Sequence, residues 1–279
     1  MTTAAALLDR IKGMLRDGGI EGVETEARRL VEAAAGRSRS ELVLVPAVEE
    51  SVEQKALEFA RRRAEGEPLQ YVTGIAGFRK LDLAVGPGVF VPRPETELVV
   101  EQALRRLPHE GTIVDVGTGS GAIALAIADE RPDARVLATE RFPEALKWVR
   151  RNRRELDKDV EIFQCDLLEG MPSEFRAGID VIVSNPPYVA DSYRDQLPID
   201  VADHEPEDAL FGGQTGMDVI ERLTREARDW LRPGGWLVFE IGADQGARVA
   251  DLLWKLGFED VTVGIDFAEW PRVVEGRYP

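Results

Sequence analysis

The chain is short of the residues that build disulfides and metal sites. Its 279 residues include one cysteine, Cys165, and two histidines. A single cysteine cannot form an intramolecular disulfide, and a structural zinc site usually needs about four Cys or His ligands. Because disulfides are rare in reducing compartments, this composition is typical of a cytoplasmic protein, and we expect no metal in its functional site.

Long hydrophobic runs and an excess of positive charge are missing as well. No apolar run approaches the ~20 residues that cross a bilayer, and the first residues lack the basic region of a signal peptide. The chain has 35 Lys and Arg against 51 Asp and Glu, a net charge of −16. Non-specific affinity for nucleic acid comes mostly from Lys and Arg on phosphates. We therefore expect no membrane association and no stable binding of nucleic acid.

The length and the 44% hydrophobic content are enough for more than one domain with a buried core. Over residues 1–75, apolar side chains recur at helical spacing with a break at Gly36, which predicts a small helical domain. Over residues 76–92, apolar residues alternate and lead into a Gly-Pro-Gly sequence at 86–88, which predicts a β-hairpin with its turn there. We interpret this hairpin as the linker to residues 93–279.

Residues 93–279 alternate short apolar strands with amphipathic helices, beginning with a helix at 95–107. This alternation is typical of βαβ units, in which a parallel sheet carries helices on both faces. Only residues 266–271 separate the last two strands, too few for a helical crossover, so the last strand is predicted to be antiparallel. The sequence therefore predicts an α/β, Rossmann-like fold with a mostly parallel seven-stranded sheet. The predicted strands are Thr112 to Val116, Arg135 to Glu140, Val160 to Cys165, Asp180 to Ser184, Trp236 to Ile241, Val261 to Ile265 and Arg272 to Glu275.

A glycine-rich loop follows the first strand of this sheet. The stretch from Asp115 to Gly121 has glycine at every second position from Gly117 and leads into an apolar helix, so a ligand can approach its backbone. The next strand ends in Glu140, about 20 residues further on, where a carboxylate can accept hydrogen bonds from both hydroxyls of a ribose. The pattern predicts a cofactor that contains adenosine. It also fits the looser dinucleotide fingerprint, so this loop alone leaves the cofactor open.

Two further features favour S-adenosyl-L-methionine over a dinucleotide. Asp115 lies two positions before the first glycine, where a carboxylate suits an ammonium group and would repel a pyrophosphate. The fourth strand ends in Asn185-Pro186-Pro187-Tyr188, and its prolines make this turn rigid. The Asn185 side-chain oxygen and the Pro186 carbonyl can then accept both N–H bonds of a planar NH₂ group, while Tyr188 packs on its π-face.

These two motifs together resemble the class I methyltransferases that methylate planar nitrogens, both adenine-N6 and protein glutamine-N5 enzymes. Further stretches resemble the release factor glutamine methyltransferase family (HemK/PrmC type) in particular, over a match from about residue 66 to the C-terminus. The helical N-terminus agrees in type only. These stretches are Gly66-Glu67-Pro68-Leu69-Gln70-Tyr71 with Gly74 and Phe78, Val91-Pro92-Arg93-Pro94-Glu95-Thr96-Glu97, Asp166, Glu205-Pro206 with Ala209-Leu210, Gly212-Gly213 with Gly216, and Glu240-Ile241-Gly242 with Gln245.

The resemblance implies an activity and a set of site residues. Members of this family transfer a methyl group from S-adenosyl-L-methionine to the side-chain amide nitrogen (N5) of the glutamine in the Gly-Gly-Gln motif of peptide chain release factors, leaving S-adenosyl-L-homocysteine. We expect residues 93–279 to carry the chemistry and residues 1–75 to recognise the protein substrate. The implied cofactor-binding residues are Asp115, Gly117, Thr118, Gly119, Ser120, Gly121, Glu140, Asp166, Leu167 and Asn185. The implied substrate-binding residues are Asn185, Pro186, Pro187 and Tyr188, and of these Asn185, Pro186 and Tyr188 are the implied catalytic residues.

The predicted mechanism works by placement of the acceptor. An amide nitrogen is a poor nucleophile because its lone pair is delocalised into the carbonyl, and its N–H is too weakly acidic for a side-chain base to remove first. Holding both N–H groups aims the nitrogen at the methyl group and favours the positive charge that grows on it in the transition state. The proton can leave afterwards, so we expect no general base.

Other functions remain open from the sequence. A sibling glutamine methyltransferase acts on a ribosomal protein, and the sequence separates the two poorly. An adenine-N6 methyltransferase uses the same tetrapeptide, although a net charge of −16 is unfavourable for binding a nucleic-acid backbone. A NAD-dependent oxidoreductase or a regulatory cofactor-binding module would have to use residues 185–188 as a mere turn.

Overall fold

A computed structural model of the protein describes residues 2–43 and 47–279, and these fall into two compact units. The first unit comprises the chain up to Ile75 together with Pro198–His204. The second unit comprises Ala76–Leu197 together with Glu205–Pro279. Within the two described ranges, no helix is both long enough and apolar enough to cross a membrane.

The first unit is helical, as the spacing of its apolar residues predicts. Thr3 begins the first helix, because its hydroxyl oxygen accepts a hydrogen bond from the Ala6 N–H at 3.2 Å. The second helix is closed by Gly36, whose left-handed φ of 61° is easily adopted by glycine. Leu7, Ile11 and other apolar side chains on the inner faces are fully buried. The helices are α1 (Ala4–Asp17), α2 (Val23–Ala35), α3 (Arg39–Val43), α4 (Glu50–Ala64) and α5 (Leu69–Thr73).

A two-stranded hairpin begins at the last residue of the first unit, and its turn lies earlier than predicted. Strand β1 (Ile75–Phe78) pairs with β2 (Leu81–Ala84), so the chain turns at residues 79 and 80. The predicted turn at 86–88 is therefore wrong as the hairpin turn, and residues 89–91 are not part of a strand. Arg79 takes a left-handed φ of 51°, and its backbone N–H donates to the Glu97 carboxylate at 2.8 Å. This distant partner stabilises a turn that has no glycine to indicate it.

The hairpin is part of the second unit rather than a free linker. Phe78, Leu81 and Leu83 are buried in the core of that unit, together with residues of the main sheet. Removing the hairpin would therefore expose apolar surface that the second unit needs to bury.

The second unit contains a seven-stranded sheet that confirms the predicted α/β fold. In chain order its strands are β3 (Thr112–Val116), β4 (Arg135–Glu140), β5 (Glu161–Gln164), β6 (Ile179–Ser184), β7 (Leu231–Glu240), β8 (Glu259–Ile265) and β9 (Pro271–Arg277). Their spatial order is β5-β4-β3-β6-β7-β9-β8. The first five strands are parallel to one another. Strand β9 is antiparallel to both β7 and β8, as the short connection before it predicts.

Helices cover both faces of this sheet. Each strand alternates its side chains between two apolar clusters, since Ile113 and Val181 belong to one cluster while Val114 and Ile182 belong to the other. A 3₁₀ turn at Pro94–Thr96 precedes α6, and α6 lies within the helix predicted for 95–107. The remaining helices are α6 (Glu97–Arg106), α7 (Ala122–Glu130), α8 (Pro143–Glu155), α9 (Ile199–Ala202, in the first unit), α10 (Glu207–Leu210), α11 (Asp218–Trp230) and α12 (Gly246–Lys255).

The strand order reverses between β3 and β6, and this reversal determines where a ligand can bind. From β3 the chain proceeds to β4 and β5 on one side, and then returns to β6 and β7 on the other side. In open parallel sheets, such a switch point leaves a crevice at the carboxyl ends of the two central strands. The Ser184 hydroxyl donates to the Val116 carbonyl at 2.7 Å and joins these two ends. The glycine loop and the Asn-Pro-Pro-Tyr turn therefore lie on either side of one crevice.

Candidate active site

A pocket of about 340 Å³ occupies this crevice, entirely within the second unit. That volume is typical of small-molecule sites, which run from ~300 to 1,000 Å³. Most of the predicted site residues line it, and the two exceptions are Gly121 and Tyr188. The predicted residues that line the pocket are Asp115, Gly117, Thr118, Gly119, Ser120, Glu140, Asp166, Leu167, Asn185, Pro186 and Pro187.

The glycines of the loop have two different functions. Gly117 and Gly119 both have left-handed φ angles, 71° and 56°. A Cβ atom on Gly117 would meet nothing within 4 Å, so a side chain there would extend into open space at the pocket wall. Gly121 instead faces the helices, since a Cβ atom there would lie 2.8 Å from the side chains of Leu125 and Val149. The first two glycines therefore leave room for a ligand, and Gly121 allows helix and loop to pack closely.

Asp115 is buried at the end of β3 and has one unsatisfied oxygen. Its Oδ2 accepts hydrogen bonds from the Thr118 hydroxyl at 2.6 Å and from the Ala124 N–H at 3.1 Å. Its Oδ1 has no hydrogen-bond partner among the described residues. Burial raises the pKa of Asp115 to about 7. Because a buried carboxylate without a donor is costly, a cationic group in this part of the pocket would be favoured.

Glu140 connects the glycine loop to the end of β4. One carboxylate oxygen accepts a hydrogen bond from the Gly119 N–H at 3.0 Å, and the other accepts from the Phe142 N–H at 2.9 Å. A carboxylate oxygen can accept more than one hydrogen bond, so each retains capacity for a further donor. Glu140 lines the pocket. The arrangement therefore fits two hydroxyl donors while the loop stays attached.

Asp166 and Leu167 lie beyond the end of β5, on the rim of the same pocket. The Asp166 carboxylate accepts a hydrogen bond from Arg222 at 3.0 Å and lies 3.8 Å from the Arg141 guanidinium. Leu167 has a left-handed φ of 50°, which is uncommon for a residue with a side chain. These residues therefore provide a polar group and an apolar surface side by side.

Asn185 and Pro186 provide two free acceptors at the opposite side of the pocket. The Asn185 NH₂ group donates to the Thr96 hydroxyl oxygen at 3.1 Å. Within the described parts of the chain, neither the Asn185 Oδ1 nor the Pro186 carbonyl oxygen accepts a hydrogen bond. Both residues line the pocket. Two unoccupied oxygen acceptors therefore face a cavity that is otherwise largely apolar.

Tyr188 supports the turn in this structure, and its predicted packing on the acceptor amide stays a prediction. It is not among the described residues that line the pocket, and its ring packs against the core. Its hydroxyl donates to the Glu240 carboxylate at 3.0 Å. Burial, followed by the nearby Glu240 charge, raises the pKa of Tyr188, so the phenol stays protonated. The side chain therefore anchors the turn from below the pocket wall.

The stretch from Gly212 to Gly216 packs directly behind this turn, which explains its glycines. A Cβ atom on Gly212 would overlap the Pro187 carbonyl, and one on Gly216 would overlap the Tyr188 carbonyl. The Gln245 side chain donates to the carbonyl oxygens of Tyr188 at 3.0 Å and Gly216 at 3.2 Å. Gly212, Gly216 and Gln245 therefore form a structural support for the turn.

Two other stretches that carry the family resemblance meet at the pocket rim. Glu205 is buried, accepts a hydrogen bond from the Val91 N–H at 3.3 Å and pairs with Arg93. Pro92 and Pro206 then line the pocket. The Val-Pro-Arg-Pro and Glu-Pro motifs thus form one wall, although they are far apart in the sequence.

Sequence reasoning assigned no site role to several polar or aromatic residues that line the pocket, among them Phe142, Arg222 and Thr96. Phe142 and Arg222 flank the region of Asp166, and Thr96 contacts Asn185. Phe142 could have been found, because it follows the strand end at Glu140 and residues after strand ends face the crevice. Thr96 belongs to the Val91–Glu97 motif, but its contact with Asn185, like the contact of Arg222 with Asp166, is made only by the tertiary fold.

The fold and the site define a class I methyltransferase, a class that takes its methyl group from S-adenosyl-L-methionine. Residues 80–200 match the family model of the methyltransferase small domain, and residues 6–74 match that of the PrmC N-terminal domain. A methyltransferase from Pyrococcus furiosus has the same fold, with a TM-score of 0.53 at 22% identity over 71% of this chain and 88% of that one.

Closer relatives identify the family. The release factor glutamine methyltransferase of Geobacter sulfurreducens is 37% identical over 99% of this chain and 96% of its own length. The enzyme of the same name from Streptomyces coelicolor is 41% identical over 94% of each chain. This chain therefore belongs to the release factor glutamine methyltransferase family. The resemblance that its motifs indicated is confirmed, and with it the enzyme class.

Proposed function

We propose that this protein transfers a methyl group from S-adenosyl-L-methionine to the side-chain amide nitrogen of the glutamine in the Gly-Gly-Gln motif of peptide chain release factors. The observation that carries the proposal is the pair of free acceptors, Asn185 Oδ1 and the Pro186 carbonyl, on the wall of the pocket that the glycine loop borders. Two oxygen acceptors on a rigid turn match the two N–H bonds of one amide. Release factors act in the cytoplasm, where this enzyme would then work.

The residues of the other half of the pocket fit the cofactor. The unsatisfied oxygen of buried Asp115 suits the ammonium group, and Glu140 retains acceptor capacity for the ribose hydroxyls. Gly117 leaves the space that a ligand needs near the backbone. Asp166 and Leu167 would contact the adenine through its polar edge and its face. When bound, S-adenosyl-L-methionine supplies an electrophilic methyl group on a sulfonium, and S-adenosyl-L-homocysteine is the product.

The chain contributes to the chemistry by holding the acceptor nitrogen. Asn185 and Pro186 accept its two N–H bonds, which orients the lone pair and favours the partial positive charge that develops on nitrogen. Pro186 and Pro187 keep the turn rigid, and Tyr188 fastens it to Glu240. None of these steps needs a general base, because the proton can leave after the methyl group has been transferred.

We further propose that the first unit recognises the release factor. The pocket lies within the second unit, and a pocket for one glutamine offers far less than the ~800 Å² per partner of a standard protein interface. The test is a chain that begins at Ala76, because the hairpin residues after it belong to the core of the second unit. If that chain folds, it should bind cofactor and methylate a short Gly-Gly-Gln peptide, yet have a much higher KM for the intact release factor. An unchanged KM for the intact factor would contradict this division.

The acceptor is tested by incubating the full chain with methyl-labelled S-adenosyl-L-methionine and, separately, with each of five candidate acceptors. These are a release factor, the same factor with alanine in place of the motif glutamine, a ribosomal protein, and single-stranded and duplex DNA. Label should enter the intact release factor alone, because only it presents the amide in the expected context. Label on the ribosomal protein would indicate the sibling enzyme, and label on DNA an adenine methyltransferase.

A further inference from the structure

A buried carboxylate lies behind the acceptor wall of the pocket. Glu240, at the end of β7, is 1% exposed. One of its oxygens accepts a hydrogen bond from the Thr96 hydroxyl at 2.6 Å, and the other accepts from the Tyr188 hydroxyl at 3.0 Å. Removing a carboxylate from water is expensive, so a residue of this kind needs compensating contacts. Both of its hydrogen-bond donors contact the tetrapeptide turn or belong to it.

The carboxylate determines the direction of a chain of hydrogen bonds. An ionised carboxylate can only accept, so the Thr96 hydroxyl must donate its single proton to Glu240. The Thr96 oxygen is then available only as an acceptor, and it accepts from the Asn185 NH₂ group at 3.1 Å. With its NH₂ group committed in this way, the Asn185 amide can only present Oδ1 on its other side.

We propose that Thr96 and Glu240 are positioning residues, which orient the Asn185 amide so that its oxygen, and not its NH₂ group, meets the amide that receives the methyl group. This proposal rests on the function proposed above and adds two residues to it. If the Asn185 amide were rotated by half a turn, its NH₂ group would face the NH₂ group of the glutamine that receives the methyl group. Two hydrogen-bond donors would then meet, and the glutamine would be repelled. Tyr188 fastens the other end of the turn to the same carboxylate, so Glu240 fixes both the side chain and the backbone of the turn.

The surroundings of Glu240 define how the network depends on pH. The groups that face it are the hydroxyls of Thr96 and Tyr188, the Arg272 guanidinium of β9 and the Glu95 carboxylate. Burial raises the pKa of Glu240, while the two hydrogen bonds and Arg272 act in the opposite direction. A protonated Glu240 could donate to Thr96 and thereby release the constraint on Asn185. The network is therefore directional only while Glu240 is ionised, and kcat should fall on the acidic side.

Thr96 gives the first test, by substitution in the full-length enzyme. Thr96→Val keeps the shape and removes the hydroxyl, and we expect kcat for transfer to a Gly-Gly-Gln peptide to fall ~10- to 100-fold, as for a misplaced reacting group. Cofactor affinity measured by calorimetry should change by less than about twofold, because the hydrogen bonds of the Thr96 hydroxyl go to Glu240 and Asn185 on the acceptor side of the pocket. Thr96→Ser keeps the hydroxyl and should restore most of kcat. The matched control is Thr224→Val, which removes another buried hydroxyl, bonded within α11 to the Ile220 carbonyl.

Glu240 gives the second test. Glu240→Gln introduces an NH₂ group that must donate to one of the two hydroxyls, so the direction of the chain is no longer fixed. We expect a loss of kcat similar to that of Thr96→Val, and the acidic limb of the kcat profile should disappear. The control is Glu275→Gln, a buried glutamate of β9 that pairs with Arg106. The double variant Thr96→Val/Glu240→Gln should lose no more than about the worse single variant, because one break already frees Asn185.

The outcomes separate this inference from the proposed function. If the wild-type enzyme fails to methylate the peptide, the proposed function is wrong. If the wild-type enzyme is active and both Thr96→Val and Glu240→Gln keep its kcat, the positioning inference is overturned. Losses that Thr96→Ser does not restore, or that the two control variants share, would likewise overturn it, because they would reflect stability alone. Thermal unfolding of each variant checks that kcat is compared between folded enzymes. The comparison of Thr96→Val with Thr96→Ser remains informative even if Glu240→Gln does not fold.

Discussion

The two halves of the pocket are built in different ways. The cofactor half is built around the backbone of one continuous loop, and the tie from Glu140 to the Gly119 N–H joins residues only 21 positions apart. The acceptor half is assembled from side chains of distant segments, since Thr96 and Glu240 are 144 positions apart and Thr96 and Asn185 are 89 apart. A site made of backbone groups keeps its geometry when most of the neighbouring side chains are substituted. A side-chain network fails when any one member is lost.

This difference separates binding from catalysis. Substitutions in the cofactor half should weaken binding while bound enzyme still turns over. Substitutions in the acceptor half should leave cofactor binding intact and reduce the rate of transfer, because geometry at the reacting nitrogen contributes more to rate than to ground-state affinity. Four experiments test the contrast, in decreasing order of the expected effect.

The largest effect should come from Asn185. Asn185→Ala removes an acceptor from the reacting amide, and we expect single-turnover transfer to fall ~10²- to 10³-fold, the usual cost of losing one preorganised polar group. Asn185→Asp should retain only a small fraction, because its carboxylate cannot donate to Thr96 and would place two acceptors face to face. Cofactor affinity of both variants, measured by calorimetry, should stay close to that of the wild type. Near-normal transfer by Asn185→Ala would reduce the tetrapeptide to a structural turn and remove the contrast between the two halves.

Glu140 should show the opposite behaviour. Glu140→Ala removes the ribose acceptors and the tie to the loop, and should weaken cofactor binding by ~1.5 to 3 kcal/mol, the range for hydrogen bonds to a charged group. At saturating cofactor, most of kcat should remain. The control is Glu161→Ala, which removes an exposed glutamate paired with Arg135 at the start of β5. Unchanged affinity of a folded Glu140→Ala variant would contradict the ribose assignment, and a loss confined to kcat would contradict the separation of binding from catalysis.

The pH dependence of cofactor binding should report on Asp115. Burial raises its pKa to about 7, so in the free protein it becomes protonated as the pH falls below 7. A bound ammonium group favours the carboxylate, hence binding below this pKa must release a proton, and affinity should fall up to ~tenfold per pH unit. Above about pH 7 this group should contribute no further change. Calorimetry between about pH 6 and pH 8 checks this, with Asp115→Asn as the reference because it cannot titrate. Parallel affinity profiles of the two proteins would remove Asp115 as the partner of the ammonium group.

The parts of the molecule that sequence could predict follow the same division. The seven strands, the antiparallel last strand and the glycine loop all depend on local patterns, so period and composition were sufficient. The hairpin turn at Arg79 was missed because a contact with Glu97, not a glycine, stabilises it. Thr96 and Glu240 belong to recognised motifs, yet their contacts with the turn follow only from the strand order. The hydrogen bond from Tyr188 to Glu240 likewise follows only from the strand order.

The smallest effect should come from the support behind the turn, and a matched glycine makes it measurable. Gly216→Ala would overlap the Tyr188 carbonyl, whereas Gly234→Ala, at a similarly left-handed φ of 79°, would meet nothing within 4 Å. Both variants should lose ~1 to 2 kcal/mol of unfolding free energy to backbone strain. Only Gly216→Ala also places a Cβ atom 2.2 Å from the Tyr188 carbonyl oxygen, so the two backbone segments must separate. We expect the segments to share this shift. Since a misplacement of ~1 Å can cost ~100-fold, a partial shift of the turn should lower kcat ~three- to tenfold. Cofactor affinity should be equal in both variants. Equal kcat values would mean that the turn holds its geometry without this support. A lower cofactor affinity in Gly216→Ala alone would mean that the two halves of the pocket are coupled through the sheet edge.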